Sequence, residues 1–180
     1  MTDLFERPSL DVLRRVSAAL TAADIPHALG GSGLLGALGL VDRVRDWDIT
    51  TDAPPSDVLR ALARHNATLV APSGQFLTEG MIRLTVDQAP FDIICRFAIR
   101  HEGGVWPFPT IQGGVWDGVP LSRPEPWLVA YMLMGREPRV GPLLEHLRVS
   151  GADLAVVRRL RKGLLPAGVL DALASIDPQR

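Results

Sequence analysis

Lysine and cysteine are nearly absent from this chain of 180 residues, and each absence excludes a kind of chemistry. Lys162 is the only lysine among 19 basic residues, and it lies in an RRLRKG segment. A P-loop lysine, a kinase strand lysine and a Schiff-base lysine each need another context, so the sequence excludes those three sites. Cys95 is the only cysteine, so no disulfide can form within the chain and a reducing compartment is expected.

The chain also has few histidines, little net charge and no long apolar runs. The four histidines are scattered without zinc-ligand spacing, and the formal net charge is only −1. No whole-domain positive field would attract long nucleic acids, although a local basic groove stays open. The first ten residues contain acids and a proline where a signal peptide needs apolar residues, and the longest apolar runs are too short to cross a bilayer. We therefore expect a cytoplasmic protein with no membrane partner.

The composition favours one compact domain, or one domain with a small appendage. Hydrophobic residues make up 47% of the chain and charged residues 22%, which is enough apolar material for a sizeable core. Seventeen glycines and 15 prolines indicate many well-defined loops.

The pattern of apolar residues predicts an α+β fold, with a mixed sheet flanked by helices. In the first half we expect a helix that Ser9 caps and that runs to residue 23, a strand over 25–29, a glycine-rich turn and helix over 30–40, a strand over 45–50, and a helix over 58–65 capped by Ser56. Strands are predicted over 67–72, 81–87 and 90–99, followed by a hairpin or an irregular loop with a turn at Asp117 and Gly118.

Helical periodicity dominates the remainder of the chain. Helices are predicted over 125–134, 143–149, 152–162 and 166–176, and Ser150 and Asp153 resemble a capping box for the third. The expected division is therefore a core over residues 1–121 and a helical C-terminal extension over residues 122–180.

A glycine run at residues 30–36 has two interpretations. Gly31, Gly33 and Gly36 fit the GxGxxG spacing of dinucleotide-binding folds, but that match alone is weak. Such a fold needs a strongly apolar strand before the glycines, and here the preceding segment is IPHAL. The better interpretation joins the glycines to the acidic residues that follow.

Three aspartates form the candidate chemical centre. Asp46 and Asp48 are two apart on a predicted strand, so their side chains share one face, while Trp47 and Ile49 point to the other and can anchor the strand in the core. Asp92 lies inside the apolar strand PFDIIC, where a carboxylate is costly unless it is paired or bound to a metal. Carboxylate oxygens suit Mg²⁺, so three acids from two strands predict a divalent-metal site.

The segment LGGSGLLGALGLVDRVRDWDI resembles the signature of the nucleotidyltransferase superfamily typified by DNA polymerase β. Its opening Leu-Gly-Gly, its acid pair at Asp46 and Asp48 and a third acid at Asp92 match the family pattern, and the nearest subgroup is the small aminoglycoside and lincosamide nucleotidyltransferases. The segment DGVPLSRPEPWLVAYML also resembles the family, so the similarity covers about residues 10 to 135. Two departures are a slightly long spacer before Asp46 and the replacement of a basic-acidic helix motif by GREPRVG.

The resemblance implies a role for each matching residue. Asp46, Asp48 and Asp92 would be the catalytic residues and would bind Mg²⁺, and Asp92 would either hold a second metal or accept a proton from the attacking hydroxyl. Backbone amides after Gly30 and Gly31 and the Ser32 hydroxyl would hold the phosphates of a nucleoside triphosphate (NTP). Arg43 stands where relatives carry an arginine between the glycines and the acids.

The implied reaction transfers a nucleoside monophosphate from an NTP to an acceptor hydroxyl. A small hydroxylated acceptor is the first choice, and a tRNA end or a protein is the second. A non-catalytic nucleotide-binding protein of the same fold is an alternative from another class. The sequence does not identify the acceptor, the preferred NTP or the oligomeric state.

Several further residues have open roles. Arg83 and Arg96 could contact phosphate or pair with acids across strands, and Glu102 could bind a cationic acceptor. The aromatic residues that could line an acceptor pocket or cover a core edge are Trp106, Phe108, Trp116 and Trp127.

Overall fold

A computed structural model describes residues 6–177, and within them the chain forms seven α-helices and nine β-strands. The helices are α1 (Leu10–Ala22), α2 (Gly31–Ala37), α3 (Pro55–Ala61), α4 (Pro124–Leu133), α5 (Glu137–Ser150), α6 (Leu154–Leu160) and α7 (Ala167–Ser175). The strands are β1 (His27–Leu29), β2 (Trp47–Thr51), β3 (Thr68–Val70), β4 (Gly80–Val86), β5 (Ala89–Cys95), β6 (Ala98–His101), β7 (Gly104–Pro107), β8 (Gln112–Trp116) and β9 (Val119–Ser122).

Seven of the strands form one mixed sheet in the order β3-β4-β5-β2-β1-β9-β8. β2 is parallel to β5 and β1 is parallel to β9, while the other neighbours are antiparallel. β6 and β7 pair separately as a two-stranded sheet. The predicted α+β class with a mixed sheet is confirmed.

The central strands turn one apolar face to the core, as the sequence predicts. Trp47 and Ile49 on β2 are fully buried, and so is Ile93 on β5. They pack with the apolar faces of α1 and α3 in one hydrophobic cluster. Because successive side chains of a strand point to opposite faces, Asp48 and Asp92 must lie on the other face.

The dinucleotide-binding interpretation is wrong. Gly31, Gly33 and Gly36 all lie within α2, and the strands before and after this helix are antiparallel. A dinucleotide-binding unit requires a parallel β-α-β crossover at this point.

Three local predictions need correction. α3 begins at Pro55, before Ser56, because the fixed φ of proline suits the first helical position. The predicted strand over 90–99 is interrupted at Arg96, whose φ is 48° and whose N–H donates to the Thr51 carbonyl, so β6 leaves the main sheet. α5 begins six residues earlier than the periodicity from residue 143 indicated.

Two turn and capping predictions are confirmed. Asp117 and Gly118 connect β8 to β9 with φ values of 53° and 81°, as a tight hairpin requires. Asp153 caps α6 by accepting hydrogen bonds from the backbone amides of Ala155 and Val156, whereas Ser150 is the last residue of α5.

The C-terminal helices share a second hydrophobic cluster with the core. Leu34 and Leu35 of α2 pack in the same cluster as α4, α5, α6 and α7. The division into residues 1–121 and 122–180 stays a prediction, and its boundary falls within β9. Among the described residues, no helix has the length and apolar content needed to cross a membrane.

Candidate functional site

The three predicted acids meet on the face of the sheet opposite the Trp47 core. Asp48 and Asp92 are register partners on the parallel strands β2 and β5, and Asp46 immediately precedes β2. One carboxylate oxygen from each acid lies within 4.8 Å of the others. Among residues 6–177, no other three acidic, histidine or cysteine side chains approach one another in this way.

This donor set fits a hard divalent cation. All three side chains are partly buried and offer only carboxylate oxygens, which Mg²⁺ prefers over nitrogen or sulfur ligands. Three carboxylates so close together repel one another unless a cation or a proton intervenes. The geometry therefore suits the predicted metal, and the roles of the three acids stay predictions.

Asp48 is the most perturbed acid of the cluster. Burial, followed by repulsion from Asp46 and Asp92, raises its pKa to about 7. The Arg139 guanidinium and a hydrogen bond from the Ser32 backbone amide act in the opposite direction. Without a cation, the Asp48 carboxylate therefore binds a proton more readily than an ordinary aspartate does.

The glycine turn is shaped by its contact with Asp48 and Trp127. The Gly30 amide donates to the Asp48 carbonyl at 2.8 Å, which ties the end of β1 to β2. A Cβ at Gly31, where φ is +53°, would lie 1.9 Å from the Asp48 Oδ2 atom. A Cβ at Gly30 would lie 2.1 Å from the Trp127 ring. Glycine is required at both positions because backbone and side chains approach too closely for any side chain.

A pair of glycine substitutions tests this contact. Gly39 also has a positive φ, of +73°, but a Cβ there would meet no atom within 4 Å. We expect Gly39→Ala to lower the free energy of unfolding by about 1 kcal/mol through backbone strain alone. Gly31→Ala should cost at least about 2 kcal/mol more, because Asp48 must also move. Urea unfolding of both variants measures the difference, and equal losses would show that Asp48 does not constrain the turn.

Asp92 is neutralised by an arginine on the neighbouring strand. Arg83 and Asp92 are register partners on β4 and β5. The Arg83 Nε donates to Asp92 Oδ1 at 2.9 Å, and Nη2 donates to Oδ2 at 3.1 Å. This bidentate pair explains how an apolar strand carries a carboxylate, and it confirms that Arg83 makes a cross-strand charge pair.

The acids open into a cavity of about 680 Å³. Its charged lining consists of the three aspartates and four arginines: Arg45, Arg83, Arg136 and Arg139. Gly31 and Ser32 line it at the glycine turn, and Trp127 and Tyr131 line it from α4. The cavity therefore joins the predicted acids and the predicted glycine turn in one site.

Three of these arginines, Arg45, Arg136 and Arg139, were not predicted as site residues. Arg136 and Arg139 lie in the GREPRVG segment, which departs from the family pattern, and they enter the cavity at the start of α5. The Arg139 Cζ atom lies 5.7 Å from the centroid of the Tyr131 ring, and its buried Nη1 atom has no hydrogen-bond partner within residues 6–177. In the sequence, the only indication of these two site residues is that the segment carries two arginines close together.

Other predicted residues lie outside this cavity. Arg43 is paired with Glu6 at 3.2 Å and does not line the cavity, whereas Arg45 does. Arg96 donates to Glu79 at 2.5 Å and does not line the cavity. Glu102 lies in the turn between β6 and β7, also away from the lining. The position of Arg43, outside the cavity lining, therefore does not support its predicted contact with a nucleotide.

The four aromatic candidates have separate positions. Trp127 lines the acid cavity, and its buried indole N–H has no hydrogen-bond partner in the described part of the chain. Trp106 and Phe108 are buried in the C-terminal cluster and line a second cavity of about 530 Å³. Trp116 packs against Trp47, with 6.4 Å between ring centroids. Only Trp127 is thus placed to contact a ligand at the acids.

Comparison with known proteins identifies the fold. No family model matches the chain, and a search of curated proteins also finds no match. A crystal structure of a Thermotoga maritima protein described as a nucleotidyltransferase aligns over 77% of this chain and 91% of its own, with 23% identity and a TM-score of 0.61.

Two structures of the antibiotic-resistance factor ANT(2'')-Ia also align. The solution structure covers 84% of this chain and 88% of its own, with 16% identity and a TM-score of 0.53. The crystal structure with adenylyl-2''-tobramycin covers 92% and 95%, with 15% identity and a TM-score of 0.51. The nucleotidyltransferase fold expected from the sequence is confirmed by these similarities.

Proposed function

We propose that this chain is a metal-dependent nucleotidyltransferase, which transfers a nucleoside monophosphate from an NTP to a hydroxyl of a small acceptor. The observation that carries the proposal is the convergence of Asp46, Asp48 and Asp92 beside the glycine turn. The fold supports it, and one structure of that fold was solved with adenylyl-2''-tobramycin. Fold alone does not establish an activity, so the argument depends on the residues of the site.

Asp46 and Asp48 would hold Mg²⁺ against the triphosphate. When bound, Mg²⁺ would neutralise charge on the α-phosphate and on the pyrophosphate leaving group. Two chain features prepare Asp48 for this role: the Ser32 amide orients its carboxylate, and Gly31 leaves space for it. Asp92 would bind a second metal or take the proton of the attacking hydroxyl, and both roles stay open.

The triphosphate would lie between the glycine turn and the start of α5. Gly31 and Ser32 line the cavity there, while Gly30 supports the turn through its packing on Trp127. Since the Gly30 and Ser32 amides already bind Asp48, arginines must supply much of the phosphate binding. Arg139 suits this task because its buried Nη1 atom has no hydrogen-bond partner among the described residues, and guanidinium donors match phosphate oxygens.

The alternatives differ in what they require of the acids. A non-catalytic nucleotide-binding protein has no need of three converging carboxylates, which repel both one another and the phosphates. A tRNA or protein acceptor requires the same centre, so the triad does not distinguish it from a small molecule. The reaction as proposed uses NTP and Mg²⁺, which fits the cytoplasmic location expected from the sequence.

Thermal unfolding with each NTP, in the presence of Mg²⁺ or EDTA, tests the proposal. A ligand at 100 times its Kd raises the free energy of unfolding by about 2.7 kcal/mol, so binding gives a measurable rise in Tm. We expect at least one NTP to raise Tm with Mg²⁺ and to lose most of that effect in EDTA. Magnesium-dependent release of pyrophosphate from the same NTP would support transfer over binding alone. An NTP effect that does not change with metal would contradict the proposed centre.

A further inference from the structure

The strand order separates the cavity into two halves on either side of the acids. From the glycine turn at the end of β1, the neighbouring strands bring Asp48 on β2, Asp92 on β5 and Arg83 on β4, with β3 at the edge. Neighbouring strands lie about 4.8 Å apart, so Arg83 is about three strand spacings from the glycine turn. With the triphosphate over the glycine turn, the acceptor half lies over β4 and the segment that connects it to β3.

The lining of the acceptor half is mostly apolar and carries no acid of its own. β3 contributes Val70, the connecting segment contributes Ala71, Pro72 and Ser73, and β4 contributes Met81 and Arg83. Among the described residues that line the cavity, every carboxylate belongs to the metal-binding triad. No carboxylate is therefore left to pair with an amino group on an acceptor.

The charged side chains that line the cavity leave a net positive charge. The four arginines of the lining exceed the three aspartates by one positive charge. Apart from the three aspartates, an acceptor with several ammonium groups would meet only positive side chains in this lining and no partner.

Arg83 is placed to bind an anion on the acceptor. Its side chain is 57% exposed, while that of Asp92 is 20% exposed, so the guanidinium reaches beyond the pair into the cavity. The pair uses the Nε atom and one of the two Nη atoms of Arg83. A guanidinium carries five N–H donors, so donors remain for an anionic group on the acceptor.

We propose that the acceptor is a hydroxyl compound with an apolar face and an anionic group, phosphate or carboxylate, that Arg83 binds. In the transfer, the acceptor oxygen bonds to the α-phosphorus, and the bond from that phosphorus to pyrophosphate breaks. Pyrophosphate leaves with the electron pair, and the hydroxyl proton passes to Asp92. The inference rests on the proposed function and specifies the substrate class of the same site.

Small probes of opposite charge test this preference without knowledge of the natural acceptor. The protein is first loaded with Mg²⁺ and a non-hydrolysable NTP, and its loading is checked by the rise in Tm. Phenyl phosphate, phenylacetate and benzylammonium are then titrated separately and followed by NMR. We expect the better of the two anions to bind at least about 10-fold more tightly than benzylammonium, and the comparison of the two identifies the preferred anionic group.

Two variants and a control assign the preference to Arg83. Arg83→Gln should reduce it to about 2-fold or less, while Arg83→Lys should restore much of it because the positive charge remains. Arg60→Gln is the matched control, since Arg60 is exposed, pairs with Asp57 on α3 and does not line the cavity. Tm values of all the variants show whether each one folds.

The outcomes separate this inference from the proposed function. If no NTP binds in the presence of Mg²⁺, both the proposed function and the proposed acceptor class are overturned. If the NTP binds normally but benzylammonium binds as tightly as the anions or more tightly, the acceptor class alone is overturned. The same follows if neither anion binds at millimolar concentration. Adenylylation of tobramycin, a polycation, at a rate above that of a phosphorylated hydroxyl compound would also overturn the acceptor class.

Discussion

Asp48→Asn is expected to abolish measurable nucleotidyl transfer while leaving the folded protein at least as stable as the wild type. The substitution removes a ligand charge from the metal site, and metal stabilisation of phosphoryl charge contributes several kcal/mol. At about 1.4 kcal/mol for each factor of ten, the rate should fall by at least about 10³-fold. Pyrophosphate release from a labelled NTP measures the loss.

The stability of the same variant should depend on pH. The Asp48 pKa is raised in the folded state to about 7, so the folded protein retains a proton that the unfolded chain releases near pH 4. The wild type consequently loses stability as pH rises from about 4 to about 7, and a neutral asparagine does not. We expect Asp48→Asn to exceed the wild type by about 1 to 3 kcal/mol at pH 8 without metal, and by much less at pH 4.

Asp87→Asn is the control for this comparison. Asp87 is an exposed acid that pairs with Arg15 at the turn between β4 and β5, away from the cavity. Its substitution should leave transfer unchanged and stability within about 0.5 kcal/mol. A large loss of stability in Asp48→Asn at every pH would instead assign Asp48 to a structural ion pair, with Arg139 or Arg45 as its partner.

Asp92→Asn is expected to have the second largest effect, on transfer more than on nucleotide binding. A hydroxyl is a poor nucleophile at neutral pH, and a positioned base contributes about 10² to 10⁴ in rate. We therefore expect transfer to fall by at least about 10²-fold while the Mg²⁺-dependent rise in Tm with NTP largely remains. Loss of the Arg83 pair should cost little stability, since the arginine is mostly exposed.

The contrasting results have distinct meanings. If NTP binding with Mg²⁺ disappears together with transfer, Asp92 is a ligand for a second metal and not mainly the base. If transfer survives nearly intact, the base is elsewhere. Glu102 is not a candidate for that base, because it lies in the turn between β6 and β7 and does not line the cavity.

The sequence was sufficient to predict that the three acids converge, because the evidence for them is local. Asp46, Trp47 and Asp48 alternate with the period of a strand, and Asp92 interrupts an apolar run. Two such strands place their acids together when they are parallel neighbours in register, and β2 and β5 are. The glycine turn was predictable for the same reason, since it immediately precedes the acid strand.

The rest of the site depends on distances along the chain that local patterns do not encode. The pairing of Arg83 with Asp92 requires the register of β4 against β5, which a slip of one residue would destroy. Arg139 reaches the acids from a helix more than 90 residues after Asp48, through the packing of α4 on the core. The break at Arg96 arises from a positive φ and a tertiary hydrogen bond to Thr51, neither of which an apolar run reveals.

The most direct test of the central claim is anomalous diffraction from crystals of the protein grown with Mn²⁺ and a non-hydrolysable NTP. Manganese takes the same oxygen ligands as magnesium and scatters anomalously. The account predicts a peak among the carboxylates of Asp46, Asp48 and Asp92, about 2.0 to 2.3 Å from their oxygens, with the triphosphate over Gly31 and Ser32. A nucleotide bound elsewhere, or one bound at this turn with no metal among the three acids, would contradict it.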